Sequence, residues 1–286
     1  MKRLPLLALP LCLAACVTAA PAIHAGWIAE GFDAPECAYV DLPSNAIYVS
    51  NVGGNPGEKD GKGWISKLDF SGRVVKARWV DGLNAPKGMR AHGGTLWCAD
   101  IDEIVGIDIY AGKVITKVKV ADAKFLNDVA CGPDGAVYVS DMALSRIYVL
   151  KGTALTVFAD GPELEWPNGL LVEGGSLVIA GWGRPEPDFS TKVPGRLFKL
   201  DLATKKKTLI TPAPLGNLDG LESDGRGGYI VTDWNAGKVF QISPDGTHRI
   251  SRQFGKGTAD HAYVPLTGVV ILPHMLENKV GAYTLK

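Results

Sequence analysis

The sequence predicts an all-β protein, a six-bladed β-propeller of four-stranded blades whose ring is closed by its N-terminal strand. Three observations carry that expectation. A Gly-punctuated unit of alternating apolar strands recurs six times along the 286 residues. The last unit runs out of chain one strand short. A spare strand, Trp27 to Phe32, stands before the first unit. Composition agrees, with 46% hydrophobic residues, 35 Gly and 18 Pro. Many short strands need many turns, and turns draw on those two residues.

The inner hairpins read PECAYVDLPSNAIYVSN from Pro35, PKGMRAHGGTLWCAD from Pro86 and LNDVACGPDGAVYVSD from Leu126. They continue as PNGLLVEGGSLVIAG from Pro167, LDGLESDGRGGYIVTD from Leu218 and ADHAYVPLTGVVILP from Ala259. A third strand follows each: WISKLDF, IVGIDIY, RIYVLKG, RLFKLDL, KVFQISP and KVGAYTL. A fourth follows the first five: RVVKARWV, KVITKVKV, ALTVFAD, KKTLIT and THRISRQF. Placing residues 27–32 on the last sheet supplies its missing strand. Four-stranded sheets repeated radially make a propeller, whereas a linear solenoid needs no such closure. The propeller domain is expected to occupy residues 26–286.

Residues 1–25 read as an export signal. Met1-Lys2-Arg3 is basic, and Leu4 to Ala15 is apolar but too short to span a bilayer. The expectation is an exported bacterial protein, periplasmic or held at the membrane. Leu13-Ala14-Ala15-Cys16 is similar to a lipoprotein cleavage box, in which a lipidated Cys16 gives membrane attachment; ordinary cleavage among residues 17–20 is the alternative. Beyond the signal stand Cys37, Cys98 and Cys131, an odd number that permits at most one disulfide. Each lies in an apolar strand pattern and is expected as a small buried hydrophobe. The 30 acidic and 30 basic residues balance, which gives no support to electrostatic capture of nucleic acid or an anionic membrane. No obligate protein partner is evident.

The second residue of each inner hairpin marks one equivalent position per blade: Glu36, Lys87, Asn127, Asn168, Asp219 and Asp260. Successive marks are 51, 40, 41, 51 and 41 residues apart. All six are hydrophilic, yet of four different types, at the start of the strand nearest the axis. A purely structural repeat tolerates the same small residue every time. The two long spacings come from expanded links between second and third strands, Val52 to Gly63 and Trp182 to Gly195. An antiparallel hairpin returns its second strand to the level where the first began. Both loops are therefore expected on the face that carries the six marks, from opposite blades, flanking a channel mouth. Asp100, Asp141 and Asp233 end second strands on that face and read as turn and cap residues. Trp182 and Trp234 follow second strands there, as pocket walls or as rim packing.

Three carboxylates from neighbouring blades in one narrow channel raise each other's pKa unless a cation lies among them. Carboxylates with Asn carbonyls, and no Cys or His at the marks, suit a hard divalent cation; Ca²⁺ fits best, and zinc is disfavoured. The competing reading makes Lys87 the cation, in a Lys–Glu–Asp network without metal. A ring of three carboxylates and one Lys keeps a formal charge of −2, which Lys87 alone does not neutralise.

The repeats, with PNGL, LDGL and VxD, resemble the gluconolactonase / senescence-marker-protein (regucalcin) family of six-bladed propellers, to which paraoxonases and diisopropyl fluorophosphatase are related. The resemblance spans residues 27–286. It implies a divalent ion, Ca²⁺ or another, in the channel and hydrolysis of lactones or phosphoesters. It assigns metal ligation to Glu36 in PEC, Asn168 in WPNG and Asp219 in LDG, and substrate or metal contact to Asn127 in LND. The usual Glu-Gly-Pro of the first blade is replaced by Glu36-Cys37-Ala38, and Lys87 and Asp260 have no counterpart. Lys87 is read as a substrate-binding residue or a counter-charge. His261 follows a mark and is expected to point away from it; His92, His248, His261 and His274 read as structural or exposed.

Gly-x-Ser-x-Gly, His-Glu-x-x-His and phosphate-loop motifs are absent from the sequence. The resemblance and the ring of oxygen donors together imply a metal-dependent hydrolase of the lactonase or esterase type, with Asp219 as general base and a small-molecule substrate. The alternative is a non-catalytic propeller, a ligand- or protein-binding platform outside the cytoplasm. A lyase on a related propeller finds no matching residue set.

Overall fold

The computed structural model describes residues 23–285. Residues 1–22 of the expected export signal, with Cys12 and Cys16, lie outside the described residues. The chain forms six four-stranded antiparallel sheets in a ring. The inner strands are Pro35–Asp41, Pro86–His92, Leu126–Cys131, Pro167–Glu173, Leu218–Ser223 and Ala262–Val264, and they neighbour one another in chain order around the axis. Blades 1 and 4, 2 and 5, and 3 and 6 therefore face each other. Strand Ile28–Glu30 pairs with Lys279–Thr284 as the outer strand of blade 6, as the spare N-terminal strand predicted. A second seam lies at the axis, where the Asp260 N–H donates to the Glu36 carbonyl at 2.9 Å and the Ala38 N–H to the Asp260 carbonyl at 3.2 Å.

Alternation along each strand sends apolar side chains into the spaces between blades. One cluster fills each of the six spaces: Met89, Leu96 and Val105 meet Tyr48 and Ile65 between blades 1 and 2, for example. Ile23, at the end of the predicted signal, is itself buried in the cluster between blades 6 and 1. Cys37 and Cys98 are buried thiols; Cys131 is only half-buried, and all three are free.

The inner strands of blades 1 to 5 share one irregularity. Two residues, the mark and its successor, oppose a single residue of the second strand, as between Leu126 and Val129. This is a β-bulge, which bends the strand and re-aims side chains. In blades 1, 3 and 5 a hydroxyl facing the bulge accepts its free N–H: Cys37 N–H to Ser50 at 2.9 Å, Asp128 N–H to Ser140 at 2.9 Å, and Gly220 N–H to Thr232 at 2.8 Å. Ser140 and Thr232 then donate to the carbonyls of Asn168 and Ala259 in the next blade. The bulge is thus fixed within its blade and tied to its neighbour.

Candidate active site

Five of the six marked residues, Glu36, Lys87, Asn127, Asn168 and Asp219, line one cavity of 340 Å³ at the channel mouth. Each is at most 6% exposed. Their placement starts one step earlier in the chain. Asp100 accepts the N–H groups of Asn84 and Ala85, and Asp141 those of Lys124 and Phe125, the residues that lead into the inner strands of blades 2 and 3. Asp141 and Asp233 also hold the turns that follow them, through the N–H groups of Leu144 and Ala236, as expected, whereas the side-chain bonds of Asp100 go to the lead-in residues Asn84 and Ala85. Both long loops reach the mouth: Gly54 and Pro56 line it from blade 1, Trp182 and Phe189 from blade 4. Trp234 lines it too. The blade 4 loop also covers a cleft of 520 Å³ made by Arg184 to Val193 alone, which no inner-strand residue reaches.

The cavity has two zones. Its floor is polar and its wall is apolar, with Phe125, Met142, Met275 and Leu276 joining the aromatic loop residues. On the floor, burial, then Asp219 and Asp260, hold the Glu36 carboxyl well above its usual range, with Lys87 opposing. Burial and the Asp128 charge push Asp219 up to about 8, against the Asn168 amide that donates to it. Burial also lowers Lys87, while Glu36 and Asp100 hold its charge. The Lys87 ammonium donates to the carbonyls of Ala85 at 2.9 Å and Pro56 at 3.2 Å and lies 4.4 Å from the centre of the Phe125 ring. Its hydrogen bonds go to carbonyls rather than to a carboxylate, so the Lys–Glu–Asp network lacks its central contact.

Glu36 Oε2 is buried and has no hydrogen-bond partner. An unpartnered carboxylate oxygen beside a second carboxylate and two amides is the donor set of a hard cation. Among the described residues no three His, Cys, Asp or Glu side chains form a metal-holding group. The floor set is instead two carboxylates, Glu36 and Asp219, with the amides of Asn127 and Asn168, and these four fit a divalent ion such as Ca²⁺.

Asp260 does not line the cavity. Residues 260 and 261 precede strand Ala262–Val264, so the alternation expected to turn His261 away does not operate there. Both side chains instead abut Gly220 of blade 5, where an added Cβ would meet His261 Nδ1 at 2.6 Å and Asp260 Oδ1 at 2.7 Å. Only glycine admits that approach. His261 is buried, and burial followed by the nearby Arg90 charge lowers it to about 3, so the ring is neutral. His274 is buried and bonded to the Tyr283 hydroxyl at 2.8 Å, a structural role as expected, while His92 and His248 are exposed.

Below the floor lies a polar layer that alternation did not predict. Asp128 follows Asn127 in the bulge and turns into the channel wall, accepting the N–H groups of Val129 at 2.7 Å and Leu170 at 2.6 Å. Burial pushes it up to about 6, with Arg90 and those N–H groups opposing. Three residues beyond the marks of opposite blades 2 and 5, Arg90 and Glu222 meet across the channel at 2.8 Å, 17% and 14% exposed. A further cavity, of 470 Å³, includes Arg90 and turn residues of blades 3 and 4. It shares no lining residue with the first.

No protein-family model matches the chain, and no curated protein does. Solved structures do. The chain is similar to a gluconolactonase from Xanthomonas campestris, with a TM-score of 0.68 at 15% identity over 90% of this chain and 87% of that one. It is similar to a catalytically inactive virginiamycin B lyase from Staphylococcus aureus with quinupristin, at a TM-score of 0.60 and 14% identity over 88% and 95%. A chain of a nidogen/laminin complex matches at a TM-score of 0.60 and 16% identity over 77% and 90%. These likenesses establish the fold alone. Similar folds occur in a gluconolactonase, a lyase and a nidogen/laminin complex, so function has to be argued from the site.

Proposed function

We propose that the chain is a divalent-metal-dependent hydrolase of the lactonase or esterase type, acting on a small-molecule ester or lactone in the channel mouth. The observation that carries this reading is the convergence of Glu36, Asn127, Asn168 and Asp219 on one buried floor, with two carboxyls crowded far above their usual range. The likeness to a gluconolactonase supports it. The four residues would hold the ion, with Ca²⁺ fitting best. A bound divalent ion supplies Lewis-acid polarisation of an ester carbonyl. Asp219 acts as general base and takes a proton from the attacking water at its free carboxylate oxygen. Asn127 and Lys87 orient the substrate from the floor, and the apolar wall excludes water around it. As part of the same reading, the protein acts outside the cytoplasm, with Cys16 as its point of lipid attachment.

The test pairs metal content with turnover. Purified protein should contain a divalent ion by elemental analysis, and chelation should lower its Tm, with Ca²⁺ restoring it. A ligand of the folded state stabilises by about 2.7 kcal/mol at a hundredfold excess over Kd. Esters and lactones should be hydrolysed before chelation and not after. Protein with no ion, no Tm shift and no turnover across an ester, lactone and phosphoester panel returns the chain to the binding-platform reading.

A further inference from the structure

The residue that directly follows the second strand is apolar in every blade: Val52, Ile101, Met142, Trp182, Trp234 and Met275. These positions form a collar immediately above the floor. Val52 and Ile101 are buried around Ala85, while the other four line the cavity. Further aromatic rings complete the wall. Trp182 and Trp234 lie 6.0 Å apart between ring centres, and Phe125 and Phe189 lie 6.3 Å apart. The lip is apolar as well, with Phe189 42% and Leu276 58% exposed.

The wall offers few side-chain polar atoms, chiefly the ring N–H groups of Trp182 and Trp234. Trp182 Nε1 donates to the Phe189 carbonyl at 3.3 Å, while Lys87 on the floor spends two of its three N–H groups on main-chain carbonyls and keeps one for a ligand. Polar groups that can meet a ligand are thus concentrated on the floor, and the four oxygen donors there are the set proposed for the ion. A ligand reaching the floor has one polar end served and the rest of its body against carbon.

From this we infer that the cavity selects an ester or lactone with an apolar body, an aryl ring or short alkyl chain, and rejects polyhydroxylated sugar lactones. The inference rests on the hydrolase reading and gives it a substrate class. A sugar lactone carries a hydroxyl on nearly every carbon, and each one buried without a partner weakens binding by about tenfold or more. An aryl group gains from the same surface, through burial and through offset or edge-to-face contact with the wall rings. At 340 Å³ the cavity is at the small end of ligand pockets, about 300–1,000 Å³. One ring system with a short substituent matches that size.

Lactams separate binding from hydrolysis, because the amide resists the reaction. Full-length protein with Ca²⁺ is titrated with γ-phenyl-γ-butyrolactam and with gluconolactam, following tryptophan fluorescence and heat. The phenyl compound is expected to bind at least about tenfold more tightly, and Trp234→Ala and Leu276→Ala each to weaken it by about tenfold while circular dichroism stays unchanged. Gluconolactam binding as tightly or more tightly overturns the inference, as does the absence of binding by either compound. Binding of the phenyl lactam unaffected by both substitutions also overturns it. The matching lactones are then assayed for hydrolysis. Tight phenyl-lactam binding with neither lactone hydrolysed removes the hydrolase reading and leaves the apolar-ligand inference standing.

Discussion

Burial and the charge of Asp128 push Asp219 up to about 8, whereas an aspartate in an unfolded chain titrates near 3.9. Between those values the folded protein holds a proton that the unfolded chain has released, so stability falls as pH rises through the window. The contribution is complete below about pH 4 and lost by the time the folded carboxyl ionises. With chelator present, Tm should therefore decline from pH 6 to pH 9, at up to about 1.4 kcal/mol per pH unit for one proton. Glu36 and Asp260, raised for related reasons, add to the slope. His261, lowered to about 3, has the opposite sense: its neutral burial loses stability only as pH falls below about 6.5, outside this range. Asp219→Asn should flatten the decline measured by calorimetry and cut turnover by roughly 10²–10⁴ as a lost general base. Ca²⁺ should stabilise more at higher pH, because protons and the ion compete for the same oxygens. An unchanged slope in Asp219→Asn would place the titrating group elsewhere. Asp219 and the other floor residues were legible in the sequence because the repeat fixes one register for all six blades. Asp128 was not, since strict alternation turns it away from the axis, and only the bulge brings it back. Arg90 and Glu222 were hidden for another reason: nothing local in the sequence pairs blade 2 with blade 5.

The blades were readable as elements because period-two alternation and Gly-rich turns recur with little drift. The links were less so. Their lengths showed which loops project, but not that every link opens with an apolar residue; Trp182 and Trp234 stood out by size, while Met142 and Met275 carry no such signal. The N-terminal strand illustrates how little pairing a ring needs for closure. Ile28–Glu30 contributes three paired residues, yet Ile23, Ala29 and Phe32 are buried around it. Burying an Ile or a Phe is worth about 1.5–3 kcal/mol each. A chain beginning at Asp33 should lose that core and leave Lys279–Thr284 as a bare edge, a surface that invites pairing with another chain. Its Tm should drop by about 10 °C, at roughly 2–4 °C per kcal/mol for a protein of this size, and size-exclusion chromatography should show self-association. An unchanged Tm and a monomeric profile would mean that the inner seam through Glu36, Ala38 and Asp260 suffices. Processing that begins the mature chain at Cys16 or among residues 17–20 keeps Ile23 in place.

At the scale of the whole molecule, the six-fold ring was legible and its interior was not. Counting repeats gives the number of blades, and the one-strand deficit gives the closure. How far a channel runs depends on side chains meeting from opposite sides, which repeat counting does not reach. The Arg90–Glu222 pair decides it. On the hydrolase reading, that bolt across the axis makes the mouth the route for arrivals and departures alike. A hydrolysed ester yields an acid and an alcohol, both of which must leave by the opening through which the next ester enters. Occupancy by either product therefore excludes substrate completely. With a lactone, whose single product is a hydroxy acid, steady-state assays with added product should show purely competitive inhibition, with KM rising and kcat constant; a fall in kcat would mean that product has a second way out or a second place to rest.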